Sequence, residues 1–143
     1  MRASLTVRVH NRALGELEGF VCAFEDEHRL AAEDRARTLI VLEELFTNLV
    51  RYGYPSQVEP DGVAEVTLEL EGNQLTIQFA DDGQAFDPFA KPAPDLDLSV
   101  ESRPIGGLGL LMVRQLADEA HYCRRDGRNV TRLTRRVSIQ MTP

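Results

Sequence analysis

The sequence predicts one α/β domain of the α+β type over residues 1–143. It is expected to be a two-layer sandwich with helices on one face of a mixed, mostly antiparallel sheet. Two observations predict this architecture. Two long segments in the first part of the chain space their apolar residues as amphipathic helices do, and shorter segments around them alternate apolar and polar residues as strands do. A length of 143 residues suits a single domain with a modest core.

The N-terminal part of the chain is expected to form one strand and two helices. Residues 5–9 alternate apolar and polar side chains and predict the opening strand. Asn11 is suited to cap a first helix over residues 12–29, which carries a stripe of apolar side chains. A second helix is expected over residues 32–52, because Gly53 follows it as a typical C-terminal residue.

The C-terminal part is expected to add a hairpin, a helix and two closing strands. Residues 63–70 and 75–80 alternate and are separated by a short turn that contains Gly and Asn, which predicts a hairpin. A helix is expected over residues 107–118. The closing strands are expected near His121 and over residues 129–140, on either side of an Asp-Gly turn.

Composition limits the function classes. A net charge of -7 argues against a nucleic-acid partner, and no segment approaches the ~20 apolar residues that a membrane-spanning helix needs. The N-terminus also lacks the apolar segment of a signal peptide, so a cytoplasmic location is expected. Cys22 and Cys123 are expected to be small buried thiols, and Arg132, Arg135 and Arg136 to form a solvated strand edge.

The second predicted helix carries a polar face that suits metal and proton chemistry. Glu44, Thr47, Asn48 and Arg51 follow one another at helical spacing and therefore share one side. A carbonyl oxygen together with substrate phosphates can hold magnesium, and a carboxylate one turn away can accept a proton. A solvated helix face is the alternative interpretation. Glu43 is expected to point about 100° away from this face.

Two further segments have features of a ligand site. Asp81, Asp82 and Gly83 end an apolar strand, where a simple turn is the alternative, but a long proline-containing segment follows instead of a closing strand. Residues 106–110, with the sequence GGLGL, precede a helix. Glycine permits close approach of a ligand, and a helix N-terminus attracts phosphate. The glycine spacing fits neither a P-loop nor a dinucleotide-binding turn.

In this order, the three segments resemble the N, G1 and G2 boxes of the Bergerat-fold ATPases, also called GHKL or histidine-kinase-like ATPases. The Phe-Asp-Pro sequence at residues 86–88 is similar to the serine-kinase branch of that family. The chain therefore resembles a stand-alone anti-sigma-factor serine kinase. One departure is Tyr52, because many members have histidine four residues after the asparagine.

The resemblance implies ATP and Mg²⁺ as cofactors and assigns roles to particular residues. Glu44 corresponds to the general base and Asn48 to the magnesium ligand. Asp81 corresponds to the acceptor for the adenine amino group, and Gly83 to the residue where the backbone approaches the base. The remaining expected nucleotide contacts are Gly107, Leu108, Gly109, Leu110, Thr131 on the adenine side, and Arg103 on the γ-phosphate within an ATP lid at about residues 84–106.

The resemblance also implies partners. A small anti-anti-sigma protein would be phosphorylated and a sigma factor would be sequestered. The family often forms a homodimer, but the sequence does not define the oligomeric state. Two alternatives remain: a nucleotide-dependent binding module without catalysis, and a detached histidine-kinase catalytic domain. His28 superficially resembles a phosphoacceptor. However, the residues that flank it depart from that motif, and no dimerising helical hairpin precedes the ATPase segments.

Overall fold

The structure is a computed structural model that describes residues 1–10, 12–56, 61–90 and 107–140. In chain order its elements are β1 (Arg2–Arg8), α1 (Ala13–Glu27), α2 (Ala32–Tyr52), β2 (Val63–Glu71), β3 (Gln74–Asp81), α3 (Gly107–Leu116), β4 (Glu119–Arg125) and β5 (Arg128–Arg136). The bounds of α2 and the hairpin agree closely with those predicted. The last strand ends at Arg136, earlier than expected. The predicted cap at Asn11 lies outside the described residues.

The sheet has five strands in the order β1-β2-β3-β5-β4, and every pairing between the described strands is antiparallel. The last of the described strands, β5, therefore lies between β3 and β4 and is not an edge. Asp81, at the end of β3, pairs with Asn129 near the start of β5. This pairing brings the two strands that carry the predicted base-binding residues side by side.

The core lies between the helices and one face of the sheet. Helix α1 contributes Leu17 and Val21, helix α2 contributes Leu42 and Phe46, and all four side chains are buried. The strands contribute alternate residues to the same core, namely Val66, Leu68, Ile77, Phe79 and Leu133. Burying a large aliphatic or aromatic side chain contributes about 1.5–3 kcal/mol, so this layer of contacts fixes the position of α2 on the sheet.

One arginine of the expected solvated edge is buried. Arg132 and Arg136 are exposed as expected, but the prediction was wrong for Arg135, which is only 7% exposed. Its Nη2 donates to the Oδ1 atom of Asp34 at 2.9 Å and to the Asp34 carbonyl oxygen at 3.0 Å. The physical reason is that β5 is an interior strand, so alternate side chains point into the core beneath the start of α2.

The prediction of two buried thiols was also wrong. Cys123 is exposed and Cys22 is half-buried, and both are free. Cys123 lies on β4, an edge strand, and on the sheet face that the helices leave uncovered. None of the described helices is both long and apolar enough to cross a membrane.

Candidate nucleotide-binding site

A cleft opens where the second half of α2 faces the ends of β3 and β5. Its apolar lining includes Leu45 and Leu49 from α2 and Phe79 from β3. Its polar lining includes Asn48, Asp81 and Thr131, together with Asn129 and Gln84. An apolar pocket with a few converging polar groups is the usual form of a small-molecule site.

Asn48 and Glu44 form a pair along one face of α2. The Nδ2 atom of Asn48 donates to the carbonyl oxygen of Glu44 at 2.7 Å and to its carboxylate Oε1 at 2.8 Å. Both amide hydrogens are therefore directed at Glu44, and no described residue donates to the Oδ1 atom of Asn48. Asn48 is 7% exposed, whereas Glu44 is half-buried and Glu43 is exposed. Helical spacing brings the pair together, as predicted.

The Oδ1 atom of Asn48 has the chemistry of a magnesium ligand. Magnesium prefers oxygen ligands and keeps several waters, so it needs only one or two protein oxygens when phosphates supply others. In the described part of the chain, no three acidic, histidine or cysteine side chains cluster in a way that could hold a metal. A metal at Asn48 would therefore depend on oxygens from the nucleotide.

Asp81 is the buried carboxylate of the cleft and is 6% exposed. Its Oδ1 atom accepts hydrogen bonds from the backbone N–H of Gly83 and from Nδ2 of Asn129, each at 2.9 Å. Oδ2 receives none from the residues that the structure describes. Burial raises the pKa of Asp81, while the hydrogen bonds from Asn129 and Gly83 act in the opposite direction. The carboxylate thus has one oxygen fixed by the protein and one left for a ligand.

The neighbouring Asp82 has a different task. It accepts hydrogen bonds from the Tyr54 hydroxyl and from the backbone N–H of Val63, at 3.1 Å in the second case. It therefore joins the chain after α2 to the start of β2. Of the two adjacent aspartates, only Asp81 lines the cleft.

Gly83 lies where space is short. A Cβ atom at this position would be 2.8 Å from Cδ1 of Leu49 and 3.2 Å from Cα of Gly53. The sequence assigned Gly83 to close approach of the base, which stays a prediction. The structure adds a second reason for glycine at this position: the segment after β3 passes so close to the end of α2 that a side chain would not fit.

The start of α3 lies against Glu44. A Cβ atom at Gly109 would be 2.2 Å from the Oε1 atom of Glu44, and Leu110 is 5% exposed. The backbone of Gly107 and Leu108 belongs to the helix. The glycine-rich segment and the helix-borne carboxylate therefore meet. Arg103 and most of the expected lid lie outside the described residues, so their assignment stays a prediction.

Asn129 is a cleft residue that the sequence analysis missed. It is 4% exposed and donates to Asp81. The strand pattern contained a signal for it, because Asn129 lies two residues before Thr131 and therefore on the same face of β5. Thr131, which was predicted to lie on the adenine side, is 3% exposed and lines the cleft opposite Phe79 in the sheet register.

Comparison with known proteins identifies the family. The sequence pattern described as the histidine kinase-like ATPase domain matches residues 7–135. This range contains the α2 pair, the end of β3, the start of α3 and β5. The chain belongs to this family, which confirms the resemblance drawn from the three segments and implies the use of ATP.

Similar proteins within this family are named as protein kinases that act on serine or threonine. The serine/threonine-protein kinase BtrW of Bordetella bronchiseptica is 29% identical over 110 residues, which are 74% of this chain and 73% of that protein. The serine-protein kinase RsbW of Bacillus cereus is 32% identical over 104 residues, or 70% of this chain and 63% of that protein. RsbW of Bacillus thuringiensis gives the same identity and coverage. The chain thus spans less than two thirds of the RsbW relatives. These names support a serine/threonine protein kinase.

A solved structure shows the same fold. The RsbU and RsbW domains of Rv1364c from Mycobacterium tuberculosis align with a TM-score of 0.66 and 18% identity, covering 100% of this chain and 35% of that one. At this identity the match supports the architecture alone. It agrees with the predicted α+β class, and the sheet proves to be the antiparallel form of that class among the described strands.

Proposed function

We propose that the protein is an ATP-dependent serine/threonine protein kinase of the anti-sigma-factor type. It phosphorylates a small anti-anti-sigma protein and sequesters a sigma factor. The relatives named as serine kinases support the phosphoryl transfer. The observation that carries the proposal is the hydrogen bond between Asn48 and Glu44, because it couples a metal-binding oxygen to a proton acceptor on one face of α2.

The residues that line the cleft suggest an orientation for the bound nucleotide. The adenine is proposed to lie among Leu49, Phe79 and Thr131, with its amino group on Oδ2 of Asp81. The phosphates then extend toward Asn48 and the N-terminus of α3, where free backbone N–H groups and the positive end of the helix dipole favour anions. The γ-phosphoryl group would thereby come to the part of α2 that carries Glu44.

The chain's own residues then have distinct tasks in the transfer. Asn48 would hold Mg²⁺ through Oδ1, and the bound ion would offset charge on the phosphates. Glu44 accepts the proton of the partner's serine hydroxyl as that oxygen bonds to the γ-phosphorus and the bond to the β-phosphate oxygen breaks. Asn48 already donates to Oε1 of Glu44, so the hydrogen bond orients the carboxylate and leaves Oε2 for the proton.

The test compares two adjacent glutamates on α2. Glu44→Gln removes the proposed base without changing shape, and Glu43→Gln makes the same change on an exposed side chain. Each variant is incubated with ATP labelled at the γ-phosphate and a candidate anti-anti-sigma protein, and ATP binding is measured by calorimetry. We expect Glu44→Gln to keep its ATP affinity and to slow transfer by about 10²–10⁴-fold, the usual contribution of a general base.

The outcomes separate the alternatives. Glu43→Gln is expected to transfer phosphate as the wild type does. A normal transfer rate for Glu44→Gln would show that this carboxylate is not a base. ATP binding with no transfer to any serine of the partner, by mass spectrometry, would favour the non-catalytic binding module. Transfer to a histidine would favour the detached histidine-kinase domain.

A further inference from the structure

Asn129 uses the full hydrogen-bonding capacity of its buried carboxamide. Its Nδ2 atom donates to Oδ1 of Asp81 at 2.9 Å and to the carbonyl oxygen of Gln84 at 2.8 Å. Its Oδ1 atom accepts from the backbone N–H of Phe86 at 3.2 Å and from the Tyr122 hydroxyl. A carboxamide has two donors and two acceptor positions, so these bonds define its orientation completely.

The contact with Asp81 differs from the other contact that this carboxylate makes. The Gly83 N–H belongs to the irregular segment that leaves β3, only two residues after Asp81. Asn129 lies on the adjacent strand, directly paired with Asp81 in the sheet. It is therefore the donor that ties the carboxylate to the regular sheet. The terminal torsion of an aspartate is broad, so without this anchor Oδ1 would be held only by the Gly83 N–H of the irregular segment.

We propose that Asn129 is the positioning residue for base recognition: it holds Oδ1 of Asp81 so that Oδ2 faces the adenine amino group. The inference rests on the proposed function, because it requires Asp81 to bind the base. Asn129 need not touch the nucleotide to act in this way. Its donor also stabilises the ionised form of Asp81 and so opposes the rise in pKa that burial causes.

The same side chain also anchors the chain between Gly83 and Phe86, so a loss of affinity alone would not identify its role. Disturbing that segment would weaken every nucleotide alike. A misplaced Asp81 carboxylate would weaken only nucleotides that present an amino group to it. The distinction can be measured with two nucleotides that differ at one position of the base.

The experiment measures binding of ATP and of purine riboside 5′-triphosphate, which lacks the 6-amino group, to the whole chain in the presence of Mg²⁺. The wild type is expected to prefer ATP. Asn129→Ala is expected to weaken ATP binding by about 10–100-fold, the range for a lost hydrogen bond to a charged group, and to weaken the other nucleotide much less. The preference for ATP should therefore fall toward unity.

Tyr122→Phe is the matched control, because it removes a different hydrogen bond of Asn129 and leaves the contact with Asp81 in place. It is expected to keep the preference. If Asn129→Ala does not fold, Asn129→Ser serves instead. The serine hydroxyl lies one bond closer to the backbone than the Asn129 amide nitrogen, so it cannot reach Asp81 directly. The space that it leaves can hold water, which satisfies the neighbouring polar groups and helps the variant to fold.

Two results would overturn the inference, and they are distinguishable. An Asn129 variant that loses affinity for both nucleotides equally, while the wild type prefers ATP, would make Asn129 only an anchor of the segment after β3. A wild type with no preference for ATP would also remove base recognition by Asp81 from the proposed function.

Discussion

The start of α3 leaves no room for a side chain beside Glu44: a Cβ atom at position 109 would lie 2.2 Å from the Glu44 carboxylate. Real Cβ atoms do not approach other atoms so closely, so any residue other than glycine has to displace either the carboxylate or the helix. The carboxylate is the end of a flexible side chain and is the easier of the two to move. With Glu44 as the proposed base, a substitution at Gly109 is therefore expected to affect activity more than stability.

Gly109→Ala is expected to displace Glu44 from its hydrogen bond with Asn48 and to slow phosphoryl transfer by at least about tenfold, as part of a general base's contribution is lost. The midpoint of urea unfolding should change little, because the cost of displacing the carboxylate is offset by the helix propensity of alanine, which exceeds that of glycine by up to about 1 kcal/mol. Gly15→Ala on α1, where the new Cβ would meet nothing within 4 Å, is the control. Unchanged transfer in Gly109→Ala would contradict the close contact.

Asn48→Ala is expected to weaken binding of magnesium-ATP by roughly 10–100-fold, as is typical when support for a bound metal is removed. The reason is the loss of the Asn48 Oδ1 atom, to which no described residue donates a hydrogen bond. Calorimetry with Mg²⁺ and with a chelator provides the comparison. The variant and the wild type should bind ATP alike when the metal is removed. A defect of equal size in both conditions would assign Asn48 a structural role.

Asp81→Asn is expected to weaken ATP binding by roughly 1–3 kcal/mol. The new amide can keep its oxygen toward Gly83 and Asn129, and its NH₂ group would then face the amino group of adenine, donor against donor. Asp82→Asn serves as the control because it retains an oxygen for Tyr54 and Val63. Titration of the two variants should show a loss for Asp81→Asn alone, and equal affinities would exclude Asp81 from base binding.

Glu25 predicts a dependence of stability on pH. Its side chain is fully buried, and neither carboxylate oxygen has a hydrogen-bond partner among the described residues. Burial raises the pKa of Glu25 from 4.5 to about 7, against smaller opposing effects of the nearby Thr38 hydroxyl, whose hydrogen bond is made to the Asp34 carbonyl oxygen, and of Arg35 and Arg135. The native state therefore binds a proton between these pH values that the unfolded state has released, and its free energy of unfolding falls as pH rises through this window.

Glu25→Gln should remove this loss. Its stability relative to the wild type is expected to rise by up to about 3 kcal/mol between pH 4.5 and pH 7, as 1.36 kcal/mol per unit of pKa implies. Urea unfolding across this range provides the measurement. Glu27→Gln, an exposed change at the end of the same helix, should show no such trend. A constant difference between wild type and Glu25→Gln would mean that Glu25 titrates normally.

Local patterns predicted the elements well, because their signals lie within each segment. The apolar spacing before Gly53 defines α2, and the alternation on either side of Gly72 defines the hairpin. The shared face of Glu44 and Asn48 was predicted for the same reason, since about four residues make one helical turn. The order of the strands was not predicted, because alternation shows that a strand exists without showing its neighbours.

The residues that the sequence analysis missed all depend on distant partners. Arg135 was read as solvated because it stands among other arginines, whereas its partner Asp34 is 101 residues away in the chain. Asn129 was not noticed because its importance comes from Asp81, 48 residues earlier. The contact of Arg135 leaves no signal in the surrounding sequence, and the signal for Asn129 is limited to its position two residues before Thr131 on β5. Both become evident only when β5 is placed beside β3.

The position of β5 in the sheet has a consequence for the nascent chain during synthesis. Of the five strands that the structure describes, β5 is synthesised last, yet it lies between β3 and β4. A chain still attached to the ribosome and ending before Arg128 would contain α2 and Asp81 but would lack Asn129 and Thr131. The proposed adenine site would then lack the residues that β5 contributes. If ATP binds at the proposed site, we expect its binding to follow the addition of β5 to the sheet, so that nucleotide stabilises the folded domain and not the partly synthesised chain.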